Sequence, residues 1–179
     1  EREKMTQETA ARDTASVENK TLHTIKIETA ELSFATNEAI KMLRANIQFS
    51  GYGKKAIAVT SCQPNEGKSF ISFELARSLA ELGERTLYLE CDIRNSIAQA
   101  RLGVTEKLQG LSDFLVGKAQ IGDILCKTDI PHLHLIFAGS LSPNPAELLS
   151  EELFERLCEV LKKNYDYIIM DTAPLGMVI

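Results

Sequence analysis

The sequence has no Cys-x-x-Cys pair, and its four cysteines (Cys62, Cys91, Cys126 and Cys158) lie far apart. That spacing argues against a zinc site and a disulfide framework and fits reduced thiols in a cytoplasmic setting. Apolar runs are only a few residues long, against the roughly 20 that a bilayer-spanning helix needs, so no transmembrane segment is expected. Lysine and arginine form no extended cluster and the net charge is −5, which disfavours duplex nucleic acid or an anionic membrane as the main partner. Glycine and proline are sparse, ten and five in 179 residues, which excludes collagen-like and low-complexity chains. Aromatic residues are also few, and none precedes Phe34. The start, Glu1-Arg2-Glu3-Lys4, is neither a signal peptide nor an initiator methionine, so a fragment is expected. What remains is a globular composition, 44% hydrophobic and 25% charged, with length for one well-buried domain.

Residues 1–29 are rich in Glu, Thr, Lys and Ala without periodicity and read as a flexible N-terminal arm or linker. Within it, Ile25 and Ile27 alternate with polar residues, as in a short edge strand. A helix is predicted from Thr36-Asn37, with Asn37 as N-cap and Ile40, Leu43 and Ile47 on one face, ending at Gly51 and Gly53. Ala56 to Thr60 reads as a buried parallel strand and Gly67 to Leu82 as a helix stopped by Gly83. Further strands are predicted at Thr86–Glu90, Leu133–Phe137 and Asp166–Asp171. A short helix falls between Asn95 and Thr105, another is capped by Ser112, and a third covers Ile121 to Cys126. Asn144-Pro145-Ala146-Glu147 starts a helix whose apolar positions run on to Leu161. This alternation predicts an α/β fold over residues 30–179: a doubly wound, mostly parallel sheet with helices on both faces. Such a sheet is expected to continue with further strands beyond Ile179.

Pro64-Asn65-Glu66-Gly67-Lys68-Ser69 lies between a predicted strand and a predicted helix. Gly-Lys-Ser opening a helix is the end of a Walker A phosphate loop. Backbone N–H groups there point at phosphate oxygens, Gly67 permits close approach, Lys68 supplies a cation, and the Ser69 hydroxyl suits Mg²⁺. The usual first glycine of that motif is Cys62. Two strands end in carboxylates beside this loop: Glu90-Cys91-Asp92-Ile93-Arg94 and Asp171-Thr172-Ala173-Pro174. Strand C-termini are where ligands bind in open α/β sheets. Mg²⁺ keeps several waters, so one or two carboxylates and the phosphates suffice to hold it.

Over residues 33–179 the chain resembles the bacterial tyrosine kinases (BY-kinases) of capsule and exopolysaccharide systems, of the CpsD/CapB type, which are P-loop NTPases. Glu38-x-x-Lys41-x-x-Arg44 resembles the family's Glu-x-x-Arg-x-x-Arg helix. Ser61 to Ser69 resembles its Walker A, with Asn65 where glycine is usual, and Glu90-Cys91-Asp92-Ile93-Arg94 resembles Asp-x-Asp-x-Arg, with Glu90 for the first Asp. Tyr165 to Pro174 resembles its Walker B, and Gly139 to Leu149 also matches.

The resemblance implies an ATP- and Mg²⁺-dependent kinase that phosphorylates its own tyrosines. Gln63, Pro64, Asn65, Glu66, Gly67, Lys68, Ser69 and Phe70 would hold the nucleotide. Ser69, Asp92 and Asp171 would hold Mg²⁺. Lys68, Glu90, Asp92 and Arg94 would be catalytic, with Glu90 the candidate base although one methylene longer than the family's Asp. Glu38, Lys41 and Arg44 would pair subunits into a ring; a solvated charged face is the alternative on pattern alone. The resemblance also implies a membrane-embedded polysaccharide co-polymerase or adaptor as activator, at the inner face of the cell membrane. None of the four tyrosines (Tyr52, Tyr88, Tyr165 and Tyr167) belongs to a terminal cluster, so the acceptors are expected beyond Ile179. The competing readings are a MinD/ParA-like switch ATPase and a non-catalytic nucleotide-binding scaffold. Against the first, Gln63 stands where those proteins carry a lysine. His23, His132 and His134 have no ligand spacing, and Cys62 and Cys91 read as small buried residues rather than a redox pair.

Overall fold

The computed structural model describes residues 22–50, 56–141, 144–149 and 152–177. Residues 1–21 of the expected arm, Gly51, Tyr52 and Gly53 lie outside that set. In chain order the elements are β1 (His23–Ile25), α1 (Phe34–Phe49), β2 (Ala56–Val59), α2 (Lys68–Ala80) and β3 (Thr86–Glu90). Next come α3 (Ala98–Arg101), α4 (Leu111–Leu115), α5 (Ile121–Ile124), β4 (Leu125–Thr128) and β5 (Leu133–Ile136). Then follow α6 (Pro145–Leu149), α7 (Glu152–Asn164), β6 (Tyr167–Asp171) and a 3₁₀ turn (Leu175–Met177).

Among the described residues, one six-stranded sheet has the order β1-β4-β5-β3-β6-β2. The strands β5, β3, β6 and β2 run parallel, while β4 is antiparallel to β5 and carries β1 alongside it. All of β3 is buried, as expected for a strand covered on both faces. Alternation along it splits the core in two. Leu87 and Leu89 pack with Leu111, Phe114, Leu157 and Leu161 on one face. Tyr88 packs with Phe73, Leu79, Leu135 and Ile169 on the other, against α2. The expected doubly wound architecture, with helices on both faces, is therefore present.

Several boundaries move for local reasons. Helix α1 starts at Phe34 rather than Asn37, because the Ser33 hydroxyl accepts the Thr36 N–H at 3.2 Å and makes Ser33 the N-cap. Ser112 does not cap α4. Its N-terminus is closed by Asp113, which accepts the Gly110 N–H at 2.9 Å, while the Ser112 hydroxyl donates to the Ser140 carbonyl. The helix expected over Ile121–Cys126 lasts one turn. Leu125 and Cys126 turn extended and form β4, which pairs with β5 through a turn held by the Thr128 hydroxyl. The helix expected from Pro145 is described as α6 and α7, and the two residues between them lie outside the described set. Strand β1 pairs with β4, and Ile25 and Ile27 are buried, so this part of the residues read as an arm belongs to the sheet.

Asp113 also accepts from the Ser140 N–H and hydroxyl, tying the head of α4 to the segment after β5. Burial pushes its carboxyl up, but the hydrogen bonds from Gly110 and Ser140 outweigh this and hold it below its usual 3.8. The stability it supplies is complete above that unfolded value and disappears as pH falls through the lower folded one. Asp113→Asn should cost about 1–2 kcal/mol at neutral pH. Denaturation at a pH well below 3.8 should find the two proteins closer; an equal gap at both pH values would rule the account out.

Candidate active site

The C-terminal ends of β2, β3 and β6 lie side by side, because Val59 and Glu90 are both register partners of Asp171. The phosphate loop leaves β2 and re-enters the fold as α2. Gly67 caps α2 at φ 89° and Asn65 sits at φ 64°. Both are left-handed, a region open to glycine and tolerated by asparagine. Asn65 can therefore stand where the resembled motif carries glycine. The Glu66 carboxylate folds back and accepts the N–H groups of Cys62 and Gln63 at 2.9 and 3.0 Å.

Lys68 turns back across the strand ends. Its Nζ lies 2.9 Å from Asp171 Oδ1, 3.6 Å from Asp92 Oδ2 and 3.3 Å from Ser69 Oγ. Asp171 is 1% exposed. Its other oxygen, Oδ2, accepts the Tyr88 hydroxyl at 2.9 Å. Burial, then the Asp171 and Glu90 carboxylates, push the Tyr88 phenol well above its usual range.

A cleft of about 240 Å³ opens over the loop. Pro64, Asn65, Gly67, Lys68, Ser69, Phe70, Asp92 and Arg94 line it, all of them expected from the sequence. Gln63, Glu66, Glu90 and Asp171 do not line it. Ala173 and Pro174 of the strand-end motif do, and so do Ile97 and Arg101, which sequence reasoning missed. The Arg101 guanidinium lies 5.0 Å over the Phe70 ring, close enough for a cation–π contact. Only the fold brings those residues together, and no spacing in the sequence announces it.

Glu90 differs most from the role that the resemblance implies. It is 1% exposed, and both its oxygens are taken. Oε1 accepts the Ile97 and Ala98 N–H groups at 3.2 and 3.1 Å. Oε2 accepts the Ala138 N–H at 2.9 Å and the Ser96 hydroxyl at 3.0 Å. Burial raises its carboxyl, opposed by these bonds. Glu90 thus clamps the end of β5 and the start of α3 to β3, and the carboxylate facing the cleft is Asp92.

The segment after β6 is strapped to the loop. Thr172 donates from its N–H and its hydroxyl to the Val59 carbonyl, and the Thr60 hydroxyl donates to the Ala173 carbonyl. Leu175 and Gly176 donate their N–H groups to the carbonyls of Ser61 and Cys62. The strap fixes the Walker B exit relative to the phosphate loop.

The three residues of the charged helix face do not stay together. Lys41 pairs with Glu38 at 2.8 Å on the exposed side of α1. Arg44 instead reaches α2, donating to the Ser78 hydroxyl and carbonyl at 2.8 and 3.0 Å. Arg44 is thus an internal brace between α1 and α2. Among the described residues no cluster of His, Cys, Asp and Glu could by itself hold a metal, and no helix is long and apolar enough to cross a membrane. Cys91 is buried and Cys62 exposed, so the small-buried-residue reading applies to Cys91 alone.

A lysine-bearing phosphate loop between strand and helix, facing acids at two neighbouring strand ends, defines a P-loop nucleotide-binding domain. A family model described as an AAA domain matches residues 54–179. Tyrosine-protein kinase CpsD of Streptococcus agalactiae is 42% identical over 144 residues, 80% of this chain and 63% of that protein. Tyrosine-protein kinase CpsD of Streptococcus pneumoniae is 42% identical over 158 residues, 87% of this chain and 70% of that protein. The solved VpsO kinase domain superposes with a TM-score of 0.73 at 30% identity, covering 79% of this chain and 70% of that one. The chain belongs to the family of the bacterial tyrosine-protein kinases CpsD. It spans just under two thirds of the length of the S. agalactiae relative.

Proposed function

We propose that this chain carries the nucleotide site of an ATP- and Mg²⁺-dependent protein-tyrosine kinase that regulates capsular or exopolysaccharide synthesis and export. The observation that carries this reading is the position of Lys68, at the head of α2 and paired with Asp171 and Asp92. The loop amides and the N-terminus of α2 cradle the phosphates. Lys68 exchanges its carboxylate partners for phosphate oxygens and stabilises the charge that develops on transfer. The donor set suits Mg²⁺: Ser69, Asp92 and Asp171 offer hard oxygens, and Lys68 already marks a place for positive charge between the two carboxylates. When bound, Mg²⁺ supplies charge neutralisation to the phosphates. Asp92 lines the cleft and, holding Mg²⁺ through water, is the carboxylate we assign to accept the tyrosine hydroxyl proton; the four hydrogen bonds that occupy Glu90 favour Asp92 over Glu90 for that role. Arg94 lines the same cleft and orients phosphates. The full-length protein with ATP and Mg²⁺ should form phosphotyrosine dependent on both. ATP hydrolysis to free phosphate without phosphotyrosine would select a switch ATPase instead.

The activating partner is a membrane-embedded polysaccharide co-polymerase or adaptor at the inner face of the cell membrane, and the kinase assembles as a homo-oligomeric ring. The outward face of α1 supports the assembly. Phe34, Met42 and Phe49 are 82, 67 and 88% exposed and share helical spacing with the Glu38–Lys41 pair. Phe34→Glu with Phe49→Glu should shift sedimentation toward monomer while ADP affinity stays within twofold. Unchanged assembly would remove this face from the interface.

A further inference from the structure

Asp171 is held from two sides. Its Oδ1 meets Lys68 in front, and its Oδ2 accepts the Tyr88 hydroxyl behind at 2.9 Å. Both Tyr88 and Asp171 are 1% exposed. The register explains the contact. Glu90 is opposite Asp171 in the parallel pair, so Tyr88, two residues earlier on β3, is the diagonal neighbour on the same face. The ring is fixed by Phe73 of α2, edge-on with centroids 5.9 Å apart and planes at 76°. A strand buried on both faces asks only for apolar volume here, and phenylalanine would supply it. The hydroxyl adds a charge-assisted bond to one oxygen of a Walker B carboxylate.

We propose that Tyr88 is a positioning residue for the metal side of the nucleotide site, holding Asp171 so that Oδ2 points into the core and Oδ1 faces Lys68 and the phosphate loop. The proposal rests on the reading of Asp171 as a Mg²⁺ ligand. Without the hydroxyl, the buried oxygen loses its donor and the carboxylate is free to turn about its last torsion. Partners that orient a metal-binding carboxylate typically matter about 10- to 100-fold in metal affinity. Tyr88 is thereby also withdrawn from the tyrosines that could accept phosphate, being buried and committed to Asp171.

The test is ADP binding by calorimetry to the full-length protein across a Mg²⁺ series. Tyr88→Phe should raise the Mg²⁺ midpoint about tenfold while ADP affinity without metal stays within twofold. Ile169→Val trims the same half of the core without touching a polar group and should move neither quantity. Phe73→Leu keeps the phenol but frees its ring, and should raise the midpoint about threefold; it serves as the readout if Tyr88→Phe does not fold. A midpoint unchanged or lowered by Tyr88→Phe overturns the proposal, as does an equal shift with Ile169→Val. If ADP affinity of the unaltered protein does not respond to Mg²⁺, the Asp171 metal reading fails and the proposal with it.

Discussion

Replacing Lys68 by methionine is expected to lower phosphotyrosine formation in the full-length protein by at least about 10³-fold, since preorganised positive charge is the main catalytic resource in phosphoryl transfer. The fold sets a second expectation. Lys68 is 8% exposed and lies 2.9 Å from Asp171, itself 1% exposed. Removing one member of a buried ion pair leaves the other charge without compensation, at a cost of about 3–5 kcal/mol. The methionine variant without nucleotide should melt roughly 6–20 °C lower, and Mg²⁺ with ADP should restore part of the loss. Undiminished phosphotyrosine would sink the kinase assignment. Lost activity at unchanged melting temperature would mean that the Lys68–Asp171 pair contributes nothing to the fold.

Glu90→Ala is the second large effect, and it tests the clamp against catalysis. The variant leaves the N–H groups of Ala98 and Ala138 buried without an acceptor, and those of Ile97 and the Ser96 hydroxyl partly so. Each buried orphan costs about 1–3 kcal/mol, so a loss of about 3 kcal/mol or more is expected in urea denaturation. Nucleotide affinity should fall as well, because Ile97 and Arg101 of the loosened segment line the cleft. Glu90→Asp should recover little, since a carboxylate one methylene shorter cannot reach both Ala138 and Ala98. A variant that keeps its denaturation midpoint and nucleotide affinity but loses turnover would return the base role to Glu90.

Much of this site is legible in the sequence, and the parts that are share one property: their geometry is local. Gly67-Lys68-Ser69 opens a helix whether or not the rest of the chain is known, because the phosphate ligands are consecutive amides and neighbouring side chains. The strand ends at Glu90 and Asp171 follow from apolar runs bounded by acids. Misread elements fail for equally specific reasons. Strand β4 is four residues long and follows a four-residue helix, too short for either period to show. Asn37 is as good an N-cap type as Ser33, and the choice falls to whichever side chain meets a free N–H. Arg44 shares helical spacing with Glu38 and Lys41, and that spacing does not show that the nearness of α2 gives it Ser78 as a partner.

The three acids Glu90, Asp92 and Asp171 make the division clearest. In the chain they are alike, carboxylates at or just past the ends of buried strands, and their order predicts a phosphate-binding sheet edge. Their separate tasks depend on donors that arrive from elsewhere. Glu90 meets the Ala138 N–H 48 residues on, Asp171 meets the Tyr88 hydroxyl 83 residues back, and Asp92 is left facing the cleft. Proximity along the chain is enough to build a phosphate loop from backbone amides. A carboxylate's role is set by its burial and by the groups that bond it, and both arise only when distant segments pack.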